Sequence, residues 1–408
     1  MRPRRLTLLT AALLLATVVN GQAPAATVTP GITVLVRDSL HLIRGKRVGL
    51  ITNHTGRDAA GVSSIDLLAR APGVKLVALF GPEHGLRGIA EAGEKVASSV
   101  DSATGVTIYS LYGSTQVPTP EMLSKIDVLV YDIQDVGSRT YTYAWTMALS
   151  AHAAGKAGIP FIVCDRPVPV RGDRVDGAVL DTAFRSFIGQ YPVALRYGLT
   201  AGEMLRHLVR TKQVQARITV VPMQGWTRDQ WYDQTGLPWV APSPNLKTLD
   251  AALLYTGTVF VEGTNMSEGR GTDAPFQLIG APWLTDAGDL ARSLGALALP
   301  GVRFDSVSRT VAKGQKHGEA TIPMLRITVT ARDSVQPVRV GAITLAAIRQ
   351  RHPRELVWRE EFLAKLAGGK ALHRALVQGI GATEELLTMW RTDAARFERE
   401  TLVDRLYR

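Results

Sequence analysis

A cluster of charged side chains in the segment LFGPEHGLRG (79–88) is the first feature of this sequence that could do chemistry. Glu83, His84 and Arg87 lie within five positions, among three glycines and one proline. Glycine and proline punctuate a chain and permit unusual backbone dihedral angles, so a tight turn could present all three side chains together. The segment is either an ordinary polar surface turn or part of a functional site.

Further carboxylates and arginines follow apolar runs of the same half of the chain. They are Asp132, Asp135, Arg139, Asp165 and Arg166. Each has a structural alternative, because Asp132 and Asp135 could cap a helix, and Asp165 with Arg166 could form a structural ion pair. The second half adds the compact polar segment VEGTNMSEGRGTDAPF (261–276), which contains Glu262, Asn265, Glu268 and Arg270.

The usual catalytic templates are missing from the sequence. No G-x-G-x-x-G closes a strand, and G-x-x-x-x-G-K-[ST], G-x-S-x-G and H-E-x-x-H do not occur. His54 and His84 could face each other, which leaves a metal site open. Without a carboxylate at a suitable spacing, however, we expect neither a metal nor a cofactor.

Paired carboxylates with aromatic rings and amide donors are what hydrolysis of a glycosidic bond requires. One carboxylic acid protonates the leaving oxygen, while a second carboxylate activates water or attacks the anomeric carbon. Aromatic faces stack on sugar rings, and arginine forks bind an acidic substrate. Tyr141 and Tyr143 of RTYTY and the amide of Asn245 in PSPN are candidate substrate contacts of this kind.

The elements that must position these residues read as an α/β domain with a doubly wound, Rossmann-like parallel sheet. Continuous apolar strands alternating with helical patterns predict a parallel sheet covered on both faces. Polar loops then meet beyond the carboxyl ends of the strands, where such sheets bind ligands. Predicted strands are RVGLITN (47–53), KLVALF (75–80), VTIYSLY (106–112), DVLVYDI (127–133) and IPFIVCD (159–165), and predicted helices are SSIDLLARA (63–71) and TMALSAHAAGKAG (146–158).

Later segments predict a second, smaller α/β domain. Thr200 and Glu203 have capping-box spacing before a helical pattern, and a domain change is expected near 244–250. This divides the chain into a leader (1–25), a Rossmann-like domain (31–246) and a C-terminal domain (250–408). The remaining predicted strands are ARITVVPM (216–223), LLYTGTVFVEG (253–263) and MLRITVTA (324–331), and the remaining helices are VGAITLAAIRQRH (340–352) and TEELLTMWRTDAARFERE (383–400).

Composition indicates an exported globular protein. The 408 residues are 46% hydrophobic, and MRPRR followed by an apolar run and Ala23-Pro24-Ala25 is typical of a secretory signal peptide. We therefore expect a periplasmic or extracellular protein without stable membrane insertion. The formal charge of +11, or +8 without Arg2, Arg4 and Arg5, is dispersed, which disfavours nucleic acid as a partner. The single cysteine, Cys164, is expected to lie in a buried strand.

Long and chemically unusual motifs resemble the exo-β-N-acetylmuramidases of peptidoglycan recycling, and the resemblance runs from about Gly31 to Tyr407. One departure is Val168, where the family usually has asparagine in DRPNP. The matching segments are GKRVGLITNHTG (45–56), FGPEHGLRG (80–88), EKVASSVDSATGVTIYSLYG (94–113), DVLVYDIQDVGSRTYTY (127–143) and PSPNLKTLDAALLYTGTVFVEGTNMSEGRGTDAPFQLIGAPW (242–283).

The resemblance implies release of N-acetylmuramic acid from the non-reducing end of peptidoglycan fragments, in a cleft between two domains. It places the catalytic glutamate at Glu83, with His84 and Arg87 orienting it or the substrate. A glutamate acting as a general acid near neutral pH needs partial burial. The second carboxylate stays open among Asp132, Asp135 and Glu268.

Recognition of the substrate is open at this stage. Arg87, Arg139 and Arg270 are candidates to bind the lactyl carboxylate of muramic acid, which glucosamine lacks. Tyr141, Tyr143, Asp165, Arg166, Asn245, Glu262 and Asn265 complete the expected substrate contacts. The competing hypothesis is a module that binds muropeptides at the same edge of the sheet without cleaving them.

Overall fold

The computed structural model describes residues 27–83, 85–86 and 99–408. The expected signal peptide and the side chains of His84 and Arg87 lie outside these residues. The strands are β1 (Arg47–Thr52), β2 (Lys75–Gly81), β3 (Ser99–Val100), β4 (Thr107–Ser110), β5 (Val128–Asp132), β6 (Phe161–Cys164), β7 (Asp176–Val179), β8 (Ala194–Arg196), β9 (Ile218–Val221), β10 (Leu278–Gly280), β11 (Val302–Thr310) and β12 (Thr321–Val329).

The helices alternate with the strands in the first half and cluster in the second. They are α1 (Gly31–Asp38), α2 (Ser64–Arg70), α3 (Pro120–Leu123), α4 (Tyr143–Lys156), α5 (Ala201–Arg210), α6 (Leu249–Thr258), α7 (Ala287–Ala296), α8 (Pro337–Arg351), α9 (Glu360–Ala367), α10 (Ala371–Gln378) and α11 (Ile380–Thr401). Within the described ranges, no helix is long and apolar enough to cross a membrane.

A seven-stranded sheet forms the N-terminal domain, in the order β3-β4-β2-β1-β5-β6-β9. All its pairs are parallel except β3 with β4. The chain builds outward from β1 to β2 and β4, then crosses back to place β5 on the other side of β1. The point where the direction of winding reverses therefore lies between β1 and β5, and the doubly wound fold expected from the sequence is confirmed.

Two apolar layers explain why these strands are apolar throughout. Alternate residues enter one core beside α4 and α5, and the remaining residues enter a second core beside α1 and α2. β5 is buried at all five positions. Cys164 lies in β6 and is buried, as predicted, and burial raises the pKa of its thiol.

The capping-box pattern that predicted a helix after Thr200 is confirmed by the structure. The side chain of Thr200 accepts a hydrogen bond from the backbone of Glu203, and Oε2 of Glu203 accepts one from Thr200 N at 3.0 Å. This reciprocal pair starts α5 at the predicted place.

The prediction of a strand over LLYTGTVFVEG is wrong. Residues 249–258 form α6, and Val259–Gly263 continues as a 3₁₀ helix. Thr248 caps the helix by accepting a hydrogen bond from Ala251 N at 3.1 Å. The helix is buried on nearly every side, so its sequence lacks the polar face that distinguishes a helix from a buried strand.

Helix α6 is buried through close contact with α8. A Cβ on Gly257 would lie 1.8 Å from the carbonyl oxygen of Pro337, and one on Gly341 would lie 2.2 Å from that of Gly257. Only glycine permits α6 and α8 to approach this closely. The second domain adds the antiparallel sheet β10-β12-β11, and one apolar core is continuous from the N-terminal sheet to α6 and α8.

Candidate active site

Glu83 stands at the carboxyl end of β2, joined to the strand by Pro82. The turn continues through Gly85, whose φ of +68° is a conformation that glycine adopts readily. Thr142 Oγ1 donates a 2.7 Å hydrogen bond to Oε2 of Glu83. Because Thr142 directly precedes α4, the carboxylate lies near the positive end of that helix.

A cavity of about 630 Å³ opens beside Glu83 and is lined by both halves of the chain. Its carboxylates, among the described residues, are Glu83 and Glu262, and its cations are Arg270 and Arg359. Much of the remaining wall is aromatic. These rings belong to Tyr112, Tyr141, Phe187, Tyr255, Phe276 and Phe362.

Four charged groups of the second domain form one chain of ion pairs at the cavity. Nη2 of Arg270 lies 2.8 Å from Oε1 of Glu262, and its Nε lies 3.0 Å from Oε1 of Glu268. Lys316 Nζ binds the other oxygen of Glu268 at 3.0 Å. Burial raises the pKa of Glu262, with Glu268 adding to the effect and Arg270 opposing it. Glu268 is held on both oxygens behind the wall, whereas Glu262 reaches the cavity.

Edge-on aromatic contacts carry the wall from one domain to the other. The ring of Tyr141 lies 4.8 Å from that of Tyr143 and 5.9 Å from that of Tyr255. Tyr255 in turn lies 4.8 Å from Phe276, over which Arg270 stacks at 5.0 Å. This series of ring contacts fixes the position of Arg270 relative to α4. Tyr143 itself donates to the carbonyl of Pro242 at 2.7 Å and does not line the cavity.

Asp132 and Arg166 form a buried, bidentate ion pair at the edge of the sheet. The guanidinium donates from Nε at 2.6 Å and from Nη2 at 2.8 Å to the two carboxylate oxygens. Ser64 also donates to Asp132, and both charged side chains are 4% exposed or less. Asp132 therefore pairs with the arginine after β6, whereas the alternative considered above paired that arginine with Asp165.

Asp165 caps α5. Its carboxylate accepts hydrogen bonds from Gly202 N at 2.9 Å and from the hydroxyls of Thr200 and Tyr407 at 2.7 Å each. Burial raises its pKa to about 6, and the nearby Glu203 adds to the shift. This group fastens the C-terminal segment to the sheet and is absent from the cavity wall.

Asp135 also lies apart from Glu83. Gly137 N donates to Oδ2 at 2.9 Å, and the hydroxyl of Tyr197 donates to the same oxygen. Burial raises its pKa to about 6. Asp132, Asp135 and Glu268 were the expected second carboxylates, and none of them lines the cavity with Glu83.

Arg139 is fully buried and binds backbone carbonyls. Nη1 donates to Ala178 O at 2.6 Å and to Val193 O at 3.0 Å, while Nη2 donates to Leu366 O at 3.0 Å. Leu366 is in the last turn of α9, whose negative end suits a cation. Burial lowers the pKa of Arg139 to about 9. The side chain joins the two domains and does not line the cavity.

Neither of the two asparagines lines the cavity. Asn245 is buried, and its neighbours Ser243 and Leu246 line the cavity in its place. Asn265 binds Glu355 O at 2.9 Å and Val357 N at 3.1 Å, which is a loop-fastening role.

Histidine, cysteine and carboxylate groups are the side chains that could hold a metal ion. Within 27–83, 85–86 and 99–408, no three of them are placed to hold an ion. His54 Nε2 donates to Ala241 O at 2.7 Å.

Two family models, for the N-terminal and the C-terminal parts of an exo-β-N-acetylmuramidase, together match most of the chain. The model for the N-terminal half of NamZ covers residues 48–250, and the model for its C-terminal half covers 253–407. This chain belongs to the NamZ family.

NamZ relatives are similar along nearly their full length. The peptidoglycan β-N-acetylmuramidase NamZ of Bacillus subtilis is 41% identical over 385 residues, which is 93% of this chain and 91% of the relative. Two crystal structures of DUF1343 family proteins from Bacteroides fragilis share the fold. One has a TM-score of 0.86 at 34% identity, over 94% of this chain and 99% of the other. The second has a TM-score of 0.74 at 26% identity, over 93% and 99%.

In this NamZ family member, Thr142, Tyr255 and Arg359 are among the cavity residues that reasoning from the sequence missed. Thr142 lies in RTYTY but was not among the residues predicted from that motif, Tyr255 lay in the wrongly predicted strand, and Arg359 stands alone in VWREEF. Arg359 donates from its backbone N to Gly263 O at 2.8 Å, and its guanidinium lies 4.9 Å above the ring of Phe362. For these three residues, the only sequence signal of a place at the site was the position of Thr142 within the RTYTY motif.

Proposed function

We propose that this protein is an exo-acting glycoside hydrolase, an exo-β-N-acetylmuramidase that releases N-acetylmuramic acid from the non-reducing end of peptidoglycan fragments. The observation that carries the proposal is Glu83. It is a partly buried carboxylate at the carboxyl end of β2, and it lines a cavity between two domains whose family is named for this activity.

Glu83 acts as the general acid in this proposal. Its carboxyl group is within reach of a sugar bound in the cavity, and Thr142 holds one of its oxygens at 2.7 Å. A glycosidic oxygen leaves poorly as an alkoxide, so a proton delivered by Glu83 makes it a neutral alcohol.

Glu262 is the proposed second carboxylate. It is the other carboxylate of the described cavity wall, and burial raises its pKa, which suits a group that exchanges a proton during the reaction. Arg270 binds one of its oxygens and limits that rise, so Glu262 can serve as a base toward water.

Arg359 is the proposed ligand of the lactyl carboxylate. Arg270 already has two carboxylate partners, whereas Arg359 donates only a 3.4 Å contact to Glu262 O and has no carboxylate within 4.0 Å in the described chain. An exposed guanidinium at the cavity with an unmatched charge is suited to an acidic sugar substituent. Muramic acid has that substituent, and glucosamine does not.

Export is part of the proposal. The leader MRPRR followed by an apolar run supports a periplasmic or extracellular location, where peptidoglycan fragments occur. N-terminal sequencing of the protein from culture fractions tests it, with a new terminus near residue 25 expected.

The deciding experiment measures release of chromophore from a chromogenic β-N-acetylmuramide and from the matching glucosaminide. We expect hydrolysis of the muramide and its loss in Glu83→Gln. Glu121→Gln is the matched control, since that carboxylate is 86% exposed on α3 and lies outside the cavity. If the wild type binds muropeptides but releases no chromophore, the proposal of an enzyme is overturned and a binding module is favoured.

A further inference from the structure

A second cavity, of about 410 Å³, shares no lining residue with the cavity at Glu83. The hairpin β7–β8 contributes to its wall, together with the loop 171–175, the loop 332–336 and side chains of α8 and α11. Six arginines line it, which is an unusual concentration of one charge. They are Arg171, Arg174, Arg196, Arg332, Arg339 and Arg391.

Three of the six arginines are already neutralised by carboxylates of segments distant in sequence. These ion pairs are Arg171 with Asp333 (2.6 Å), Arg332 with Asp250 (2.8 Å) and Arg339 with Glu384 (2.7 Å). Their role is structural, because they fasten loops and helices to one another. They do not explain the other three arginines.

Arg174 and Arg391 carry charges that no carboxylate matches closely. Nε of Arg174 is 3.8 Å from Asp173, a carboxylate that Arg171 binds on both oxygens. Arg391 donates to the hydroxyl of Thr388 at 2.8 Å and, within the described part of the chain, has no carboxylate within 4.0 Å, although Asp176 lies near enough that the charge of Arg391 opposes the rise in its pKa caused by burial.

Among these three arginines, Arg196 gives the strongest indication of a bound anion, since it is only 4% exposed. Nη2 donates to the carbonyl of Val170, while Nε is buried and has no hydrogen-bond partner in the described structure. Asp176 faces it across the hairpin, but that carboxylate accepts from Gly177 N at 2.7 Å and lies beyond ion-pair distance. Burial lowers the pKa of Arg196 to about 10. A guanidinium in such a place is stabilised by an anion.

We propose that this cavity binds a phosphate group, either as inorganic phosphate or as a phosphate monoester, through Arg174, Arg196 and Arg391. Arg174, Arg196 and Arg391 have no close carboxylate partner, and the buried Nε of Arg196 has no hydrogen-bond partner in the described structure. A phosphate group has enough oxygens to accept hydrogen bonds from all three guanidinium groups. Guanidinium forks match phosphate oxygens, and the volume is that of a small-molecule site.

Isothermal titration of the full-length mature protein tests the proposal, with inorganic phosphate and glycerol 1-phosphate as separate probes at constant ionic strength. We expect saturable binding of at least one probe, and the probe that binds identifies the source of the phosphate. Arg174→Gln and Arg391→Gln should each weaken it about tenfold. Arg399→Gln is the matched control, because it removes the same charge from an exposed site on α11 outside the cavity.

Asp176→Asn provides a test in the opposite direction. The amide oxygen can still accept from Gly177 N, but the negative charge beside the anion is gone, so phosphate should bind several-fold more tightly. Muramide hydrolysis should be unchanged in Arg174→Gln and Arg391→Gln, since the two cavities are separate. Absence of saturable phosphate binding by the wild type, or equal binding by the Arg174→Gln/Arg391→Gln double variant, would overturn the proposal.

Discussion

The hydroxyl of Thr142 donates a 2.7 Å hydrogen bond to Oε2 of Glu83, and so joins the start of α4 to the turn after β2. The two residues come from opposite sides of the central strand β1, since β2 and β5 are its two neighbours in the sheet. The bond fixes the orientation of a carboxyl group that lines the cavity. In the proposed reaction it sets the direction from which Glu83 delivers a proton.

Removal of this hydroxyl should slow the reaction. In Thr142→Val the carboxyl group loses its fixed orientation, and a hydrogen bond to a charged group contributes about 1.5–3 kcal/mol, so we expect kcat on the muramide to fall about tenfold or more. Thr142→Ser keeps the donor and should stay near the wild-type rate. A valine variant with native stability and unchanged kcat would show that Glu83 is oriented by other contacts.

Loss of Arg359 should remove the preference for muramic acid. We expect Arg359→Ala to lower kcat/KM for the chromogenic muramide about tenfold to a hundredfold and to leave the rate on the glucosaminide unchanged, because only the muramide carries the lactyl carboxylate. Arg354→Ala removes a neighbouring exposed arginine outside the cavity and should behave as wild type. If the wild type hydrolyses the muramide and Arg359→Ala does so equally well, another group binds the carboxylate.

Replacement of Arg139 should affect stability and leave binding intact. Arg139→Met removes the guanidinium donor to the carbonyls of Ala178, Val193 and Leu366, of which Val193 O keeps the hydrogen bond from Leu180 N. Loss of such buried hydrogen bonds should lower the free energy of unfolding by about 2–4 kcal/mol. Denaturant titration measures the loss, and KM for the muramide should stay constant. A raised KM with unchanged stability would instead show that Arg139 takes part in substrate binding.

Asp165 should make the protein less stable as pH rises between about 4 and 6. Its pKa in the folded protein is about 6, above the ordinary value of 3.8, so the folded state binds the proton more tightly. The favourable contribution is present in full below the unfolded pKa and is lost as pH rises through the folded pKa. A shift of this size corresponds to about 3 kcal/mol.

Urea unfolding of wild type and Asp165→Asn at pH 4, 5, 6 and 7 isolates this contribution. Asparagine does not titrate, so the stability of the wild type relative to the variant should fall across that interval and level off above it. A constant difference across the four pH values would mean that Asp165 titrates alike in the folded and unfolded states.

The amino-acid sequence by itself determined the N-terminal sheet and the place of Glu83. Continuous apolar strands, their order along the chain and the polar loops after them are local patterns, and local patterns are enough to place residues at one edge of a parallel sheet. The motif PEHG could be located in the same way. The start of α5 could also be predicted from the sequence, because Thr200 and Glu203 are three residues apart.

Tertiary structure alone decided which charged residues face the cavity. Asp132, Asp165 and Arg139 have the same residue types and the same position after strands as a catalytic group would have. Each is instead held by a partner that is 34 residues or more away in sequence: Arg166, Tyr407 or Leu366. Arg359 had no motif around it and reaches the cavity because α9 packs beside the 3₁₀ helix at Glu262. Helix α6 could not be recognised because burial on nearly every side removes the polar face that marks a helix. Distances between segments far apart in the chain depend on packing, and packing is not encoded in any short stretch.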